Sequence, residues 1–196
     1  MKLYGSTNSP YVRLVRALLR EAGAEDRVAE VWLNPRDPAT GFHDVNPVAR
    51  IPALALEDGT VLAESTLICR HLDDALAGGR MHAPLADPAR LALYGLTLGA
   101  LDRGVAARTE QLRDGAPDGA AFVRTQLDGA ARALDALERA APGPDGPDMV
   151  DLAVCCTVEW LAFRHPELDP LSGRPRLADW TDRVGARPAL AATRPA

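Results

Sequence analysis

Residues 46–77 read NPVARIPALALEDGTVLAESTLICRHLDDALA. Two short apolar runs, Ala53–Leu56 and Thr60–Ala63, flank Glu57-Asp58-Gly59. An Asp-Gly pair between such runs marks a β-hairpin, because its tight turn needs positive φ and glycine adopts that freely. From Ser65 the apolar period changes. Leu67, Ile68, Leu72 and Leu76 fall one, four and four residues apart, which predicts a helix to about Ala77.

The residues before this stretch complete the pattern. Lys2–Tyr4 is a short apolar strand stopped by Gly5. Pro10 to Ala22 carries Val12, Val15, Leu18 and Leu19 at helical spacing, with Gly23 as a C-terminal stop. Val28–Leu33 reads as a second strand, and Asn34 to Asn46, rich in Pro, Asp and Gly, as a loop with at most a short helix. The order β-α-β-(short α)-β-β-α, with its right-handed βαβ unit, is that of a thioredoxin-like α/β domain over residues 1–77. A Gly/Pro-containing linker, 78–86, follows, and residues 87–196 predict an all-helical domain. Asp87 caps a helix that begins at Pro88 and carries Leu91, Tyr94, Leu98 and Leu101 to about Arg113. A second runs from about Asp118 to Ala141 with Phe122, Leu127, Leu134 and Leu137, and Pro142 to Pro147 breaks it. Asp148 caps a third, with Asp151 as its capping-box partner. Its Val150, Val154, Val158 and Leu161 leave it apolar nearly all round, so it should be the buried centre of the domain. A last helix follows Pro175 with Leu177, Trp180 and Val184.

Composition narrows the function. The 196 residues carry a net charge of −5, which argues against nucleic acid or an anionic membrane as partner. Of the 22 basic residues all but Lys2 are arginine, so a single arginine carries less meaning here than usual. No run approaches the ~20 apolar residues of a membrane span, and the N-terminus has no signal-peptide pattern. Cys69, Cys155 and Cys156 form no disulfide framework and fall at apolar helical positions. His43, His71, His82 and His165 share no metal spacing, so no metal is expected, and the scattered glycines form no phosphate loop. A reducing, cytoplasmic location is the expectation.

Three junctions could carry chemistry, and each also has an ordinary structural explanation. Ser9-Pro10 starts the first helix, where Ser at the cap and Pro at the first position are common. The same place would stabilise a thiolate through the helix amides and the serine hydroxyl. Pro52 opens the third strand, where a missing N–H is tolerated in the trans form. A cis Ile51–Pro52 bond would instead turn the Ile51 backbone toward an extended ligand. Glu64-Ser65 opens the third helix, with Ser65 either as its cap or as a site for a carboxylate, and Glu64 as an acceptor for an ammonium group.

Taken together, SPYVRLVRALL, NPVARIPAL, ESTLICRHL and DMVDLAVCCTVEWL resemble the glutathione S-transferase family over essentially the whole chain, and most of all its bacterial serine-type members. The resemblance implies glutathione as co-substrate and Ser9 as the catalytic residue hydrogen-bonding its sulfur. Thr7 and Asn8 lie close enough in sequence to be alternatives. Ile51 would pair by its backbone with the cysteinyl part, Glu64 and Ser65 would hold the γ-glutamyl end, and Arg50 would lie near the glycyl end. It further implies a homodimer and an electrophilic small molecule in a cleft between the domains. Tyr94, Leu98, Leu101, Asp102 and Arg108 are candidates for the cleft wall, with Arg103 and Arg108 as cations for an acidic co-substrate. A hydroxyl rather than a thiol at position 9 disfavours disulfide exchange. Two other functions share this fold: glutathione-dependent isomerisation of a small acid, and a non-catalytic interaction module.

Overall fold

The computed structural model describes residues 1–113, 119–140 and 147–195. The N-terminal part contains β1 (Lys2–Gly5), α1 (Pro10–Glu21), β2 (Ala29–Trp32), α2 (Phe42–Val45), β3 (Ala53–Ala55), β4 (Val61–Ala63) and α3 (Ser65–Ala77). The helices α4 (Pro88–Gln111), α5 (Gly119–Glu138), α6 (Met149–Arg164), α7 (Pro175–Gly185) and α8 (Pro188–Ala191) form the rest. The expected ends of α5 at Asp118 and Ala141, and the break over 142–146, lie outside the described residues.

The sheet is mixed, in the order β2-β1-β3-β4. β1 pairs parallel with β2 and antiparallel with β3, and β4 pairs antiparallel with β3 through Leu54↔Leu62. Leu3 and Leu54 are fully buried in the domain core with Val12, Val15 and Leu18 of α1 and Ile68 and Leu72 of α3. Gly5 permits close approach of β1 to α1, since a β-carbon there would lie 2.7 Å from Val12 Cγ1.

α6 is buried on almost every face, as its all-round apolar sequence predicts. Its start carries the expected capping box: Asp148 accepts from the Val150 and Asp151 amides, and Asp151 accepts from the Asp148 amide. Arg90 of α4 adds a two-pronged contact to Asp148, and Trp180 of α7 donates to Asp151 at 2.7 Å. Near the other end of α6, Gly104 of α4 meets Leu161, and a β-carbon at Gly104 would overlap that side chain.

Three expectations need correction. The residue flanking α3 is Glu64, at φ +71 and ψ 118, with no side-chain cap bond, so Ser65 is already the first helical residue rather than the cap. Leu67 faces solvent at 64% exposure, because the buried stripe of α3 passes through Ile68, Cys69 and Leu72 instead. The helix after Pro175 is not the last, for α8 follows and buries Leu190 beside α1.

The segment between the two halves is tied to α3 by one carboxylate. Asp73, fully buried, accepts from the Met81 amide at 3.1 Å, the His82 amide at 2.8 Å and His82 Nδ1 at 2.8 Å. Removing it orphans two buried amides and a ring N–H. Asp73→Ala is therefore expected to destabilise the protein by about 3 kcal/mol or more, at roughly 1–3 kcal/mol for each of the three unsatisfied buried donors. A urea titration checks this, with a lower midpoint at an unchanged slope.

Candidate functional site

The turn from β1 into α1 places Ser9. Its backbone is extended (φ −82, ψ 122), its carbonyl accepts from the Arg13 amide, and its Oγ accepts from the Val12 amide at 3.3 Å. A hydroxyl that accepts from an amide still has its own proton to give. The expected helix cap is thus present, and the cap leaves the Ser9 hydroxyl available as a donor. The turn is also gripped from the helical domain, where Trp160 Nε1 of α6 donates to the Asn8 carbonyl at 3.0 Å. Tyr11 of α1 donates to Asp102 of α4. Burial first, then the Asp102 and Glu64 charges, pushes the Tyr11 hydroxyl above the usual tyrosine range. It stays protonated at neutral pH, with its proton directed at Asp102.

The loop before β3 is shaped by Asn46. This buried amide donates through Nδ2 to the Arg50 carbonyl at 2.8 Å and accepts from the Val48 amide at 3.2 Å. The following Ile51–Pro52 bond is cis. Among the described residues neither the amide nor the carbonyl of Ile51 takes part in a backbone hydrogen bond. At the start of α3, Ser65 is buried while its Oγ has no hydrogen-bond partner among the described residues. The first amides of that helix have no intrahelical acceptor, as in any α-helix.

These pieces meet in one cavity of about 900 Å³ between the two halves. Ser9, Arg50, Ile51, Glu64 and Ser65 all line it. Ser6, Asn34 and Arg36 belong to the same wall, and α4 supplies the opposite one through Asp102, Val105, Ala106, Arg108, Thr109 and Glu110, with Phe122 and Trp160 beside them. Of the residues proposed for the second substrate, Asp102 and Arg108 reach the cavity. Tyr94 and Leu101 are buried in the core instead, and Leu98 packs against that core. Arg103 turns away, covering Gly129 and bonding to Gln126. Neither Thr7 nor Asn8 is part of the lining. A second, more open hollow of about 720 Å³, beside Glu110, Arg124 and Leu127, contains none of the five.

Sequence reasoning missed Tyr11, Trp160, Asn46 and Phe122 as contributors. Trp160 had a signal: an indole N–H on an otherwise apolar helix needs an acceptor, and here that acceptor is a loop of the other domain. The three cysteines lie outside the cavity, free and buried. Burial raises all three thiols, that of Cys156 up to about 11. Among the described residues no group of three or more His, Cys, Asp or Glu could hold a metal, and no helix is long and apolar enough to cross a membrane.

Comparison with known proteins agrees with this geometry over both halves. Residues 8–75 match the sequence model of the glutathione S-transferase N-terminal domain, and residues 98–183 that of its C-terminal domain. The chain is 27% identical to the uncharacterised GST-like protein YibF of Escherichia coli K12, covering 100% of this chain and 98% of that one. A glutathione transferase family member from Pseudomonas fluorescens Pf-5, crystallised with bound glutathione, superposes with a TM-score of 0.86 at 33% identity, over 100% of this chain and 98% of that one. A second crystal structure from that organism, with bound S-(propanoic acid)-glutathione, gives a TM-score of 0.85 at 35% identity over 100% of both chains.

The cysteine environments yield a direct test. A thiol raised to about 11 holds roughly a thousandth of its population as thiolate at pH 8, against about a quarter for a free cysteine. Iodoacetamide at pH 8 should therefore leave Cys69, Cys155 and Cys156 unmodified in the folded protein and alkylate all three in urea, as read by intact mass.

Proposed function

Since the chain belongs to the glutathione S-transferase family, we propose that it binds glutathione in the cavity between its two domains and activates the thiol for attack on an electrophilic small molecule. The observation that carries this reading is the convergence of Ser9, Arg50, Ile51, Glu64 and Ser65 on one cavity from three separate junctions of the chain. Glutathione is an extended peptide with two carboxylates, an ammonium group and a thiol. Each has a complement here. Ser65 Oγ and the first amides of α3 receive the γ-glutamyl carboxylate, and the Glu64 carboxylate accepts from the ammonium group. The unpaired backbone of Ile51 pairs with the cysteinyl residue, and Arg50 lies toward the glycyl carboxylate.

The thiol then falls at the N-terminus of α1. The Ser9 hydroxyl donates to the thiolate while its oxygen keeps the Val12 amide, and the helix dipole adds to the stabilisation. Tyr11 is the nearby alternative donor, but its proton is already given to Asp102. The bound thiolate supplies an activated nucleophile, and the cavity holds the electrophile beside it. The bound glutathione and S-(propanoic acid)-glutathione of the Pseudomonas structures support a site that takes both the free peptide and a thioether of it. The same reading makes the protein a cytoplasmic homodimer. Three free cysteines suit a reducing compartment, and exposed Val61, Leu67 and Leu91 are apolar surface that a second copy would cover.

Two variants test the assignment. Ser65→Ala removes a ligand contact but no helix cap, so calorimetry should give a glutathione Kd raised about tenfold, equivalent to about 1.4 kcal/mol, with Tm nearly unchanged. An unaltered Kd would remove the proposed anion site.

Ser9→Ala should raise the pKa of the bound thiol, which in the native protein is expected well below the ~8.5 of free cysteine, and should cut conjugation at neutral pH. The lost cap lowers stability by about 1 kcal/mol. Thiolate absorbance against pH separates the two roles, and coincident titrations would reduce Ser9 to a helix cap. Turnover without consumption of glutathione would point to an isomerase, and no glutathione binding at all to an interaction module.

A further inference from the structure

The α4 wall of the cavity carries one cation, Arg108, among Asp102, Val105, Ala106, Thr109 and Glu110. This residue is half-buried, and its guanidinium is within ion-pair distance of no carboxylate among the described residues. The described acids nearest to it in sequence both line the cavity and already have partners: Glu110 pairs with Arg113, and Asp102 accepts from Tyr11. Other arginines of similar or deeper burial are treated differently by this fold. Arg13 pairs with Glu159, Arg16 with Glu30, Arg90 with Asp148, Arg174 with Asp135 and Arg187 with Glu21. Arg164, half-buried as well, stacks 4.3 Å over Phe163. Among the described residues Arg108 has neither kind of partner, and its charge, after burial, helps to hold Arg164 below the usual arginine range. A partly desolvated guanidinium beside a second cation is stabilised by an anion. It shares the cavity with Ser9. Arg108 lies six residues beyond Asp102 on α4, about 9 Å along the helix, and Asp102 meets Tyr11 next to that turn.

We infer that Arg108 receives a carboxylate of the second substrate, so that the electrophile is an acid, with an α,β-unsaturated carboxylic acid as the fitting class. This deepens the reading of the cavity as a glutathione site and rests on it. The chemistry balances without a further reactant. The thiolate sulfur forms a C–S bond at the β-carbon, and the C=C π pair moves to the α-carbon and into the carboxylate. A proton from water then completes the α-carbon. Negative charge grows on the carboxylate end during attack, where the Arg108 guanidinium stands to stabilise it. The product is a thioether whose carboxylate still faces Arg108.

Two ligands of nearly equal shape isolate this charge. Calorimetry with S-(2-carboxyethyl)glutathione and S-propylglutathione on the full-length protein should give about tenfold tighter binding of the acid, in line with a hydrogen bond to a charged group. Arg108→Leu should abolish that preference while leaving the Kd for unmodified glutathione within about twofold, which also certifies the fold. Arg108→Lys should keep part of the preference, and Arg108→Gln replaces the leucine variant if that fails to fold. Equal affinity for the two thioethers in the native protein, or a preference that survives Arg108→Leu, overturns the inference while glutathione binding stands. Failure to bind glutathione itself overturns the underlying site as well, so the two failures are told apart.

Discussion

The Arg13 guanidinium lies between the two halves of the molecule at 2% exposure, and Glu159 of α6 is its carboxylate partner. A buried charge requires such a partner, and breaking one of these pairs leaves an uncompensated ion. The pair therefore fixes α1 against α6, and much of the site follows from that. Arg13 also donates to the Leu190 carbonyl of α8 at 3.2 Å. The next residue of α6, Trp160, reaches the Asn8 carbonyl, so adjacent side chains of a single helix hold both the first helix and the turn that introduces it. Ser9 is positioned by the helical domain as much as by its own strand.

The two domains contribute different chemistry to the cavity they share. The sheet domain presents backbone groups and short polar side chains at element termini: Ser9 before α1, Ile51 before β3, and Glu64 and Ser65 at α3. Such groups are set by the main chain and move little, which suits recognition of an invariant peptide. The helical domain presents side chains from the middle of α4, namely Asp102, Val105, Arg108 and Thr109. These can be exchanged without disturbing backbone hydrogen bonds.

The Ser9 and Ser65 positions show how the same residue type plays two parts. Ser9 is a cap in the ordinary sense, and its accepting oxygen is occupied by Val12. Ser65 is not a cap, because the positive φ of Glu64 ends the preceding strand so abruptly that the helix starts at once. Among the described residues its hydroxyl has no protein partner, and the residue lines the cavity. Local spacing could not separate these cases, since both read as a serine ahead of an apolar helix.

What the sequence by itself determined was whatever depends on near neighbours along the chain. The Asp-Gly hairpin, the helical spacing of Ile68 and Leu72 after Ser65, the Asp148–Asp151 capping box and the all-round apolar α6 are local, and all were legible. The family resemblance, carried by motifs at those junctions, named the five residues that share the cavity. Only the tertiary structure decided which residues of α4 face it. Tyr94, Leu98 and Leu101 have the same helical spacing as Asp102 and Arg108, yet packing against the core takes up the first three and leaves the last two in the wall. The partners of Tyr11, Trp160 and Arg13 lie 91, 152 and 146 residues away in the chain. No periodicity reaches that far, because such contacts are chosen by the docking of whole helices rather than by the propensities of the residues that make them.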